Sequence, residues 1–429
     1  MSWIPTTPAE QEEMLAAIGV KSLDDLFASI PEDLRLKSWD VPPSMSEMST
    51  RKLLAGIAAN NDVDRVSFLG GGYYDHFIPA AVDGLSSRGE FYTAYTPYQP
   101  ECAQGTLQSI YEYQSAICRL TDMEFANASL YEAATAVFEA TTMAVRLRKR
   151  SRIVCHPSLN PRHREVLNTH VANLELDIED GDDPTDAAAV IVQSPSFHGT
   201  LWDYSELAER CHEAGALLIA VFYPTALGLA KTPGEMGADI AVAEGQCLGI
   251  PLNFGGPYLG VLATRKAHVR RMPGRLAAQA EDGQGRRGFV LTLQAREQHI
   301  RRDKAMSNIC SNQALCALRA LIYLCLMGRE GIKEVATHCH AKSEYLKGEI
   351  SKFGEILNDG PTFNEFAVRL PKPAEEVVTA LQAKGYNAGL PLAALNAGGP
   401  NDLLIAVTER RTRAELDGFA AALEEYACN

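Results

Sequence analysis

Four short segments carry the residue types from which a site is built. Phe68-Leu69-Gly70-Gly71-Gly72-Tyr73 is a glycine-rich turn without the G-x-G-x-x-G spacing of a dinucleotide fingerprint. It suits either the close passage of two backbones or the approach of a ligand. Thr93-Ala94-Tyr95-Thr96-Pro97-Tyr98-Gln99-Pro100-Glu101 packs two Tyr and two Pro into nine residues. Proline fixes φ and tyrosine joins an apolar body to a polar tip, so the segment reads equally as a rigid recognition loop or a buried structural loop. Ser129-Leu130-Tyr131-Glu132-Ala133-Ala134-Thr135 turns into a helix of small residues, whose first free N–H groups can hold a phosphate. Gly255-Gly256-Pro257 is a tight turn leading into a strand.

Other constellations exclude chemistry. His156 with His163, His338-Cys339-His340, and His198 near Ser196 match no metal-ligand spacing with a supporting carboxylate, so no metal centre is expected. No G-x-S-x-G elbow is present for acyl transfer. One basic cluster, Arg296, Arg301, Arg302 and Lys304 around Gln298-His299-Ile300, reads as an intersubunit or small-anion feature in preference to a nucleic-acid footprint.

These segments are set in a chain of 429 residues, 46% hydrophobic and 22% charged, with a formal charge of −14. That balance fits a globular protein with a sizeable core and argues against backbone-driven nucleic-acid binding. The densest apolar runs, Ala216 to Phe222 and Ala317 to Gly328, are too short to span a membrane. The opening Met-Ser-Trp-Ile-Pro has neither the basic start nor the apolar core of a signal peptide, so a cytoplasmic protein is expected. Ten cysteines without a C-x-x-C pair read as reduced thiols, most of them small buried hydrophobes.

The pattern along the chain divides it at residues 1–60, 61–312 and 313–429. The first part has helix-like stretches at Pro8 to Ile18 and Ser49 to Ala59, broken by prolines, and reads as a helical arm. The second alternates helices with short β-branched runs: Arg152 to Cys155, Leu174 to Ile178, Ala188 to Gln193, Leu217 to Phe222, Ile240 to Ala243 and Tyr258 to Ala263. Continuous apolar runs of this length are buried, mostly parallel strands, which makes this part a large α/β domain. Asp203-Tyr204-Ser205-Glu206 opens one of its helices with a cap. The third part reads as a long helix to Phe353, strand Phe363 to Leu370, helix Pro373 to Lys384, strand Leu403 to Thr408 and a last helix capped by Thr412 with Glu415, a small α+β domain.

Over nearly its whole length the chain resembles subunit 1, the alpha subunit, of the aminomethyl-transferring glycine dehydrogenase, the pyridoxal-phosphate-dependent P-protein of the glycine cleavage system. The resemblance rests on Phe68-Leu69-Gly70-Gly71-Gly72, Tyr92 with the Thr93–Glu101 segment, Gly245-Gln246, Asn253-Phe254-Gly255-Gly256-Pro257, Arg286-Arg287-Gly288-Phe289, Arg296-Glu297-Gln298-His299-Ile300-Arg301-Arg302, Lys304-Ala305-Met306-Ser307-Asn308-Ile309-Cys310 and Phe363-Asn364-Glu365-Phe366. It implies the aspartate-aminotransferase-like fold (fold type I) of pyridoxal-phosphate enzymes, a large mostly parallel sheet domain plus a small C-terminal one.

Such enzymes hold the cofactor on a Lys amine and keep its pyridine nitrogen protonated with an acid. By alignment on Ile250-Pro251 the Lys position holds Gln246, and the acid position after Leu217 to Phe222 holds Tyr223. A carboxamide forms no imine, and a phenol is neutral at pH 7. Lys231 and Lys266 are the nearest amines and lie in surface-like turns. No catalytic residue is therefore expected in this chain. The resemblance implies a partner, glycine dehydrogenase subunit 2 (beta), carrying pyridoxal phosphate covalently in an α2β2 assembly that decarboxylates glycine and passes the aminomethyl group to the lipoyl arm of the H-protein. On that reading Ser307 and Asn308 donate to the partner's cofactor phosphate, and Tyr95, Tyr98, Gln99 and His76 wall the substrate channel. The alternatives are an independent pyridoxal-phosphate lyase or transaminase, which needs the missing Lys, and a non-catalytic scaffold subunit.

Overall fold

The structure, a computed structural model, describes residues 5–428; Met1–Ile4, part of the N-terminal stretch discussed above, and Asn429 lie outside the described residues. The chain divides into two compact units, Met1–Val63 and Asp64–Asn429.

In the first unit, helix α1 (Pro8–Ile18) opens with a capping box. Glu10 N–H donates to Thr7 Oγ1 at 3.3 Å and Thr7 N–H to Glu10 Oε2 at 2.7 Å, and Gly19 closes the helix in the left-handed region. Helix α2 (Glu47–Ala58) is capped by Ser46. No described residue of this unit is buried, and Met14, Phe27, Trp39, Leu53 and Ile57 are exposed.

The second unit is built on a seven-stranded sheet. Its strands are β1 (Phe125–Ala126), β2 (Arg152–Cys155), β3 (Asp177–Asp180), β4 (Ala187–Ser194), β5 (Leu217–Phe222), β6 (Ile240–Glu244) and β7 (Gly260–Thr264), in the spatial order β1-β7-β6-β5-β4-β2-β3. The pairs from β3 across to β6 are parallel, while β7 runs antiparallel to β6 and to β1. Every residue of β5 is buried, as the continuous apolar runs require of a strand covered on both faces. Helix α3 (Gln104–Thr121) packs near β1. Helices α4 (Ala133–Arg148) and α5 (Pro161–Val171) cover one face through Val137, Ala140, Met143 and Leu167, and α6 (Ser205–Glu213) covers the other through Leu207 and Cys211.

Two local readings are corrected. The strand expected at Leu174 to Ile178 is β3, Asp177–Asp180, because its register pairs Asp177 with Arg152 and leaves the Leu174–Leu176 stretch in the preceding turn. The hairpin β8 (Leu276–Glu281) and β9 (Arg287–Thr292) was not expected, although Asp282-Gly283-Gln284-Gly285 between two short alternating runs is its turn signal. Five cysteines, Cys155, Cys211, Cys247, Cys316 and Cys339, are buried, so small buried hydrophobes make up half of the ten and not most of them.

Helix α7 (Ala314–Ile350) leads onward, interrupted at Gly328, whose φ of 59° and ψ of −170° are non-helical. A four-stranded antiparallel sheet follows: β10 (Glu355–Ile356), β11 (Glu365–Arg369), β12 (Leu390–Pro391) and β13 (Asp402–Ala406), in the order β10-β11-β13-β12. With α8 (Ala374–Gln382) and α9 (Arg413–Cys428) it buries Phe366, Leu403, Ile405, Phe419 and Leu423. No described helix is long and apolar enough to cross a membrane.

Candidate functional site

In open α/β sheets ligands sit beyond the carboxyl ends of the strands. Here the ends of β5 and β6 place Tyr223 and Gln246 at such an edge, and the N-terminus of α4 faces it. Beside Tyr223 lies a cavity of about 40 Å³, lined also by Tyr74, Asn160, His163, Glu244 and Glu365, among others. At about 10–15 Å³ per water, that is room for a few waters.

Gln246 is 2% exposed and its amide is fully used. Tyr74 N–H donates to Oε1 at 2.9 Å, and Nε2 donates to Tyr74 O at 3.1 Å and to Ile250 O at 2.8 Å. The side chain thus ties the glycine-rich loop to the turn after β6. Tyr223 bonds His76 Nε2, and His76 Nδ1 lies 2.6 Å from Glu409 Oε2. Burial pushes the Tyr223 phenol well above its ordinary range, so it stays neutral. Burial alone would raise Glu409, but the hydrogen bond and attraction to His76 and the N–H of Phe77 outweigh it and hold the carboxyl down at about 2. Cys339 on α7 donates to the same carboxylate, at 3.4 Å. Among the described residues His76, Cys339 and Glu409 bring His, Cys and acid donor atoms within 4.8 Å of one another, and their own hydrogen bonds already account for the cluster.

Glu365, at the start of β11, accepts from Gly71 N–H at 2.7 Å and from Tyr74 O–H at 2.9 Å, and burial raises it to about 7. This contact gives Gly70 a packing reason: a Cβ there would lie 2.0 Å from Glu365 Oε1 and 2.6 Å from Ala406 Cβ, while Gly72 of the same turn lines the cavity.

The start of α4 departs from the expected free anion site. Glu132 accepts from Ala134 N–H at 2.5 Å and Thr135 N–H at 2.8 Å, while Glu244 accepts from Ala133 N–H at 3.1 Å. The donors that a phosphate would use are satisfied by the chain's own acids.

Of the remaining candidates, the Thr93–Glu101 loop is a surface loop with Tyr95 79% and Tyr98 48% exposed; Gln99 is also exposed. Tyr98 meets Arg275 and the basic segment: its hydroxyl is 3.4 Å from Arg275, whose guanidinium lies over its ring, and His299 of that segment packs edge-on at 5.4 Å. His76 is buried with Tyr223, and no contact joins it to Tyr98, Tyr95 or Gln99. Ser307 Oγ accepts from Ile309 N–H at 3.0 Å and the side chain also bonds Glu139; Asn308 is exposed. Arg296 is spent on the carbonyls of Leu293 and Gly274. Lys231 pairs with Asp203 at 2.5 Å on the surface, and Lys266 is exposed.

Pyridoxal phosphate does not fit this pocket. The amide at Gln246 is no nucleophile, the cradle at α4 is filled and the remaining space holds only a few waters. Glu244 and Glu365 line the pocket, and Glu132 and Glu409 bond the elements beside it; sequence reasoning assigned none of the four an individual role. Glu244 carried a signal, a carboxylate ending the apolar run Ile240-Ala241-Val242-Ala243.

Comparison with known proteins gives the chain's relatives. The family model of the glycine cleavage system P-protein matches residues 1–423. A protein of Citrifermentans bemidjiense, "Probable glycine dehydrogenase (decarboxylating) subunit 1", is 53% identical over 447 residues, covering 100% of both chains. Its namesake in Maridesulfovibrio salexigens is 50% identical over 439 residues, 99% of each. A crystal structure of glycine decarboxylase (P-protein) of the glycine cleavage system, in inhibitor-bound form, superposes with a TM-score of 0.93 at 41% identity, covering 99% of this chain and 100% of that one. The aspartate aminotransferase of Thermus thermophilus, at a TM-score of 0.57 and 16% identity over 84% of this chain and 99% of its own, shows the shared fold alone, that of fold type I pyridoxal-phosphate enzymes. The chain belongs to the glycine cleavage system P-protein family.

Proposed function

We propose that the chain is subunit 1 of a cytoplasmic glycine dehydrogenase (decarboxylating), and that it works with a homologous second subunit that carries the pyridoxal phosphate. The full-length likeness to proteins of that name supports the activity. The saturated amide of Gln246 carries the division of labour: a pocket whose lysine position is a carboxamide bonded on three sides to backbone has no amine to offer. When bound on the partner, the cofactor supplies the electron sink for loss of CO₂ from glycine. The assembly is α2β2, and the lipoyl arm of the H-protein receives the aminomethyl group.

This chain's part is to shape and close the partner's site. Tyr95, Tyr98 and Gln99 stand on an exposed, proline-stiffened loop, and Asn308 is exposed on the segment that Arg275 ties to that loop through Tyr98 and Cys310 O. On this reading Asn308, with Ser307 behind it, reaches the partner's phosphate while the tyrosines wall the channel. His76, held between Tyr223 and Glu409, acts through Tyr74 and the glycine-rich loop and not as a channel wall. The open apolar side chains of the first unit are a surface that a partner would cover.

Reconstitution tests the proposal. The chain, a lysine-bearing second subunit and lipoylated H-protein are mixed, and glycine-dependent CO₂ release is measured against each omission. Turnover requiring both subunits is expected; turnover by this chain with H-protein alone would overturn the division of labour.

A further inference from the structure

We infer that Glu132 and Glu244 together stand where an anion would sit at the opening of α4, and that this internal pair is the device that keeps phosphate-bearing molecules out of this chain. Five backbone N–H groups converge on the two carboxyls. Ala133 donates to Glu244 Oε2 at 3.1 Å, Gln246 and Leu259 to Glu244 Oε1 at 3.0 and 3.1 Å, and Ala134 and Thr135 to Glu132 at 2.5 and 2.8 Å. The Thr135 hydroxyl also bonds Glu132. These donors come from the first turn of α4, the turn after β6 and the residue before β7, and such a concave set of N–H groups is what binds phosphate oxygens.

Glu132 alone would be an ordinary helix cap. Glu244 is not ordinary: it ends a strand whose residues are all buried and is itself 7% exposed, a placement that costs free energy unless its oxygens are fully bonded. Two neighbouring carboxylates repel, and burial together with Glu132 raises Glu244 to about 8, so it holds its proton at neutral pH and the repulsion is relieved. An intramolecular carboxyl pays no association entropy, so a free phosphate would have to displace two ligands that are already in place.

The inference deepens the reading that the partner carries the cofactor, but the two fail separately. That reading falls if this chain forms its own adduct, whereas the inference concerns only what fills the cradle. The test compares the full chain with its Glu132→Ser/Glu244→Ala variant, with inorganic phosphate as the probe, by titration calorimetry and by melting temperature with and without phosphate. Serine keeps a capping hydroxyl for α4. The wild-type chain should show no binding heat up to roughly 10 mM, and the variant should bind at least about tenfold more tightly and melt higher in phosphate by a margin the wild type lacks. If the double variant does not fold, Glu132→Ser alone carries the same comparison. A folded variant whose phosphate response equals that of the wild type, or a wild type that binds phosphate as tightly as the variant, would overturn the inference.

Discussion

The pocket at the ends of β5 and β6 and the surface made by the Thr93–Glu101 loop with Arg275 and His299 use similar polar side chains to opposite ends. In the pocket each one is spent on the chain itself: Gln246 on Tyr74 and Ile250, Glu365 on Gly71 and Tyr74, Glu244 on three N–H groups. On the surface Tyr95 is 79% exposed and Gln99 is exposed, while Tyr98 is about half-exposed with its hydroxyl beside Arg275. The difference teaches that an active-site fold can keep its polar groups as internal fastening while its outward loops stay free to serve another chain.

The sharpest way to break this contrast is Gln246→Leu, which strands the Tyr74 N–H and two carbonyls in a buried place. The expected loss is about 3 kcal/mol or more in urea unfolding. A loss below about 1 kcal/mol would mean that the amide is not a fastening at all. Next in size is Gly70→Ala, where the added Cβ would meet Glu365 and Ala406 at 2.0 and 2.6 Å. Overpacking of this kind costs about 1–3 kcal/mol, and truncating Glu365 to Ala in the same chain should recover part of it.

The third effect is one of pH. Burial raises Glu244 and Glu365 from their ordinary 4.5 to about 8 and about 7. The folded chain therefore keeps protons that the unfolded chain has released. Their contribution is complete below pH 4.5 and is lost as pH rises through about 7 and then about 8. Wild-type stability should decline across that window by up to about 1.4 kcal/mol per pH unit per group, and the Glu244→Gln/Glu365→Gln variant should decline less. Equal slopes would remove these carboxyls from the account.

The smallest stability effect belongs to the exposed loop. Tyr95→Phe and Tyr98→Phe should each change stability by no more than about 0.5 kcal/mol. Turnover of the reconstituted complex should nevertheless fall severalfold, and unchanged turnover would take both tyrosines out of the partner's site.

The strands of the large sheet were legible because buried parallel strands write continuous apolar runs, and Leu217–Phe222 coincides with its expectation residue for residue. Edge structure was less legible: β3 is mostly polar and exposed, and the β8–β9 hairpin is short and half-buried. Gln246 and Tyr223 were singled out by the resemblance alone, and they stand just beyond the ends of the neighbouring strands β6 and β5. The acids were not singled out, because they are scattered along the sequence: Glu132 and Glu244 come together at the opening of α4 beside the large sheet, while Glu365 and Glu409 reach Gly71 and His76 from β11 and the loop after β13. Helix α4 illustrates the limit. Its small residues announced an anion site, but only the fold shows Glu244 arriving from another strand to fill it.

The central claim is that this chain's own pocket is closed to the cofactor. The most direct test is the visible absorption spectrum of the purified chain with added pyridoxal phosphate, before and after borohydride reduction, alone and then mixed with the lysine-bearing subunit. The account predicts no reducible adduct on this chain in either case, with the reduced label found on the partner. A borohydride-fixed label on a lysine of this chain would contradict it.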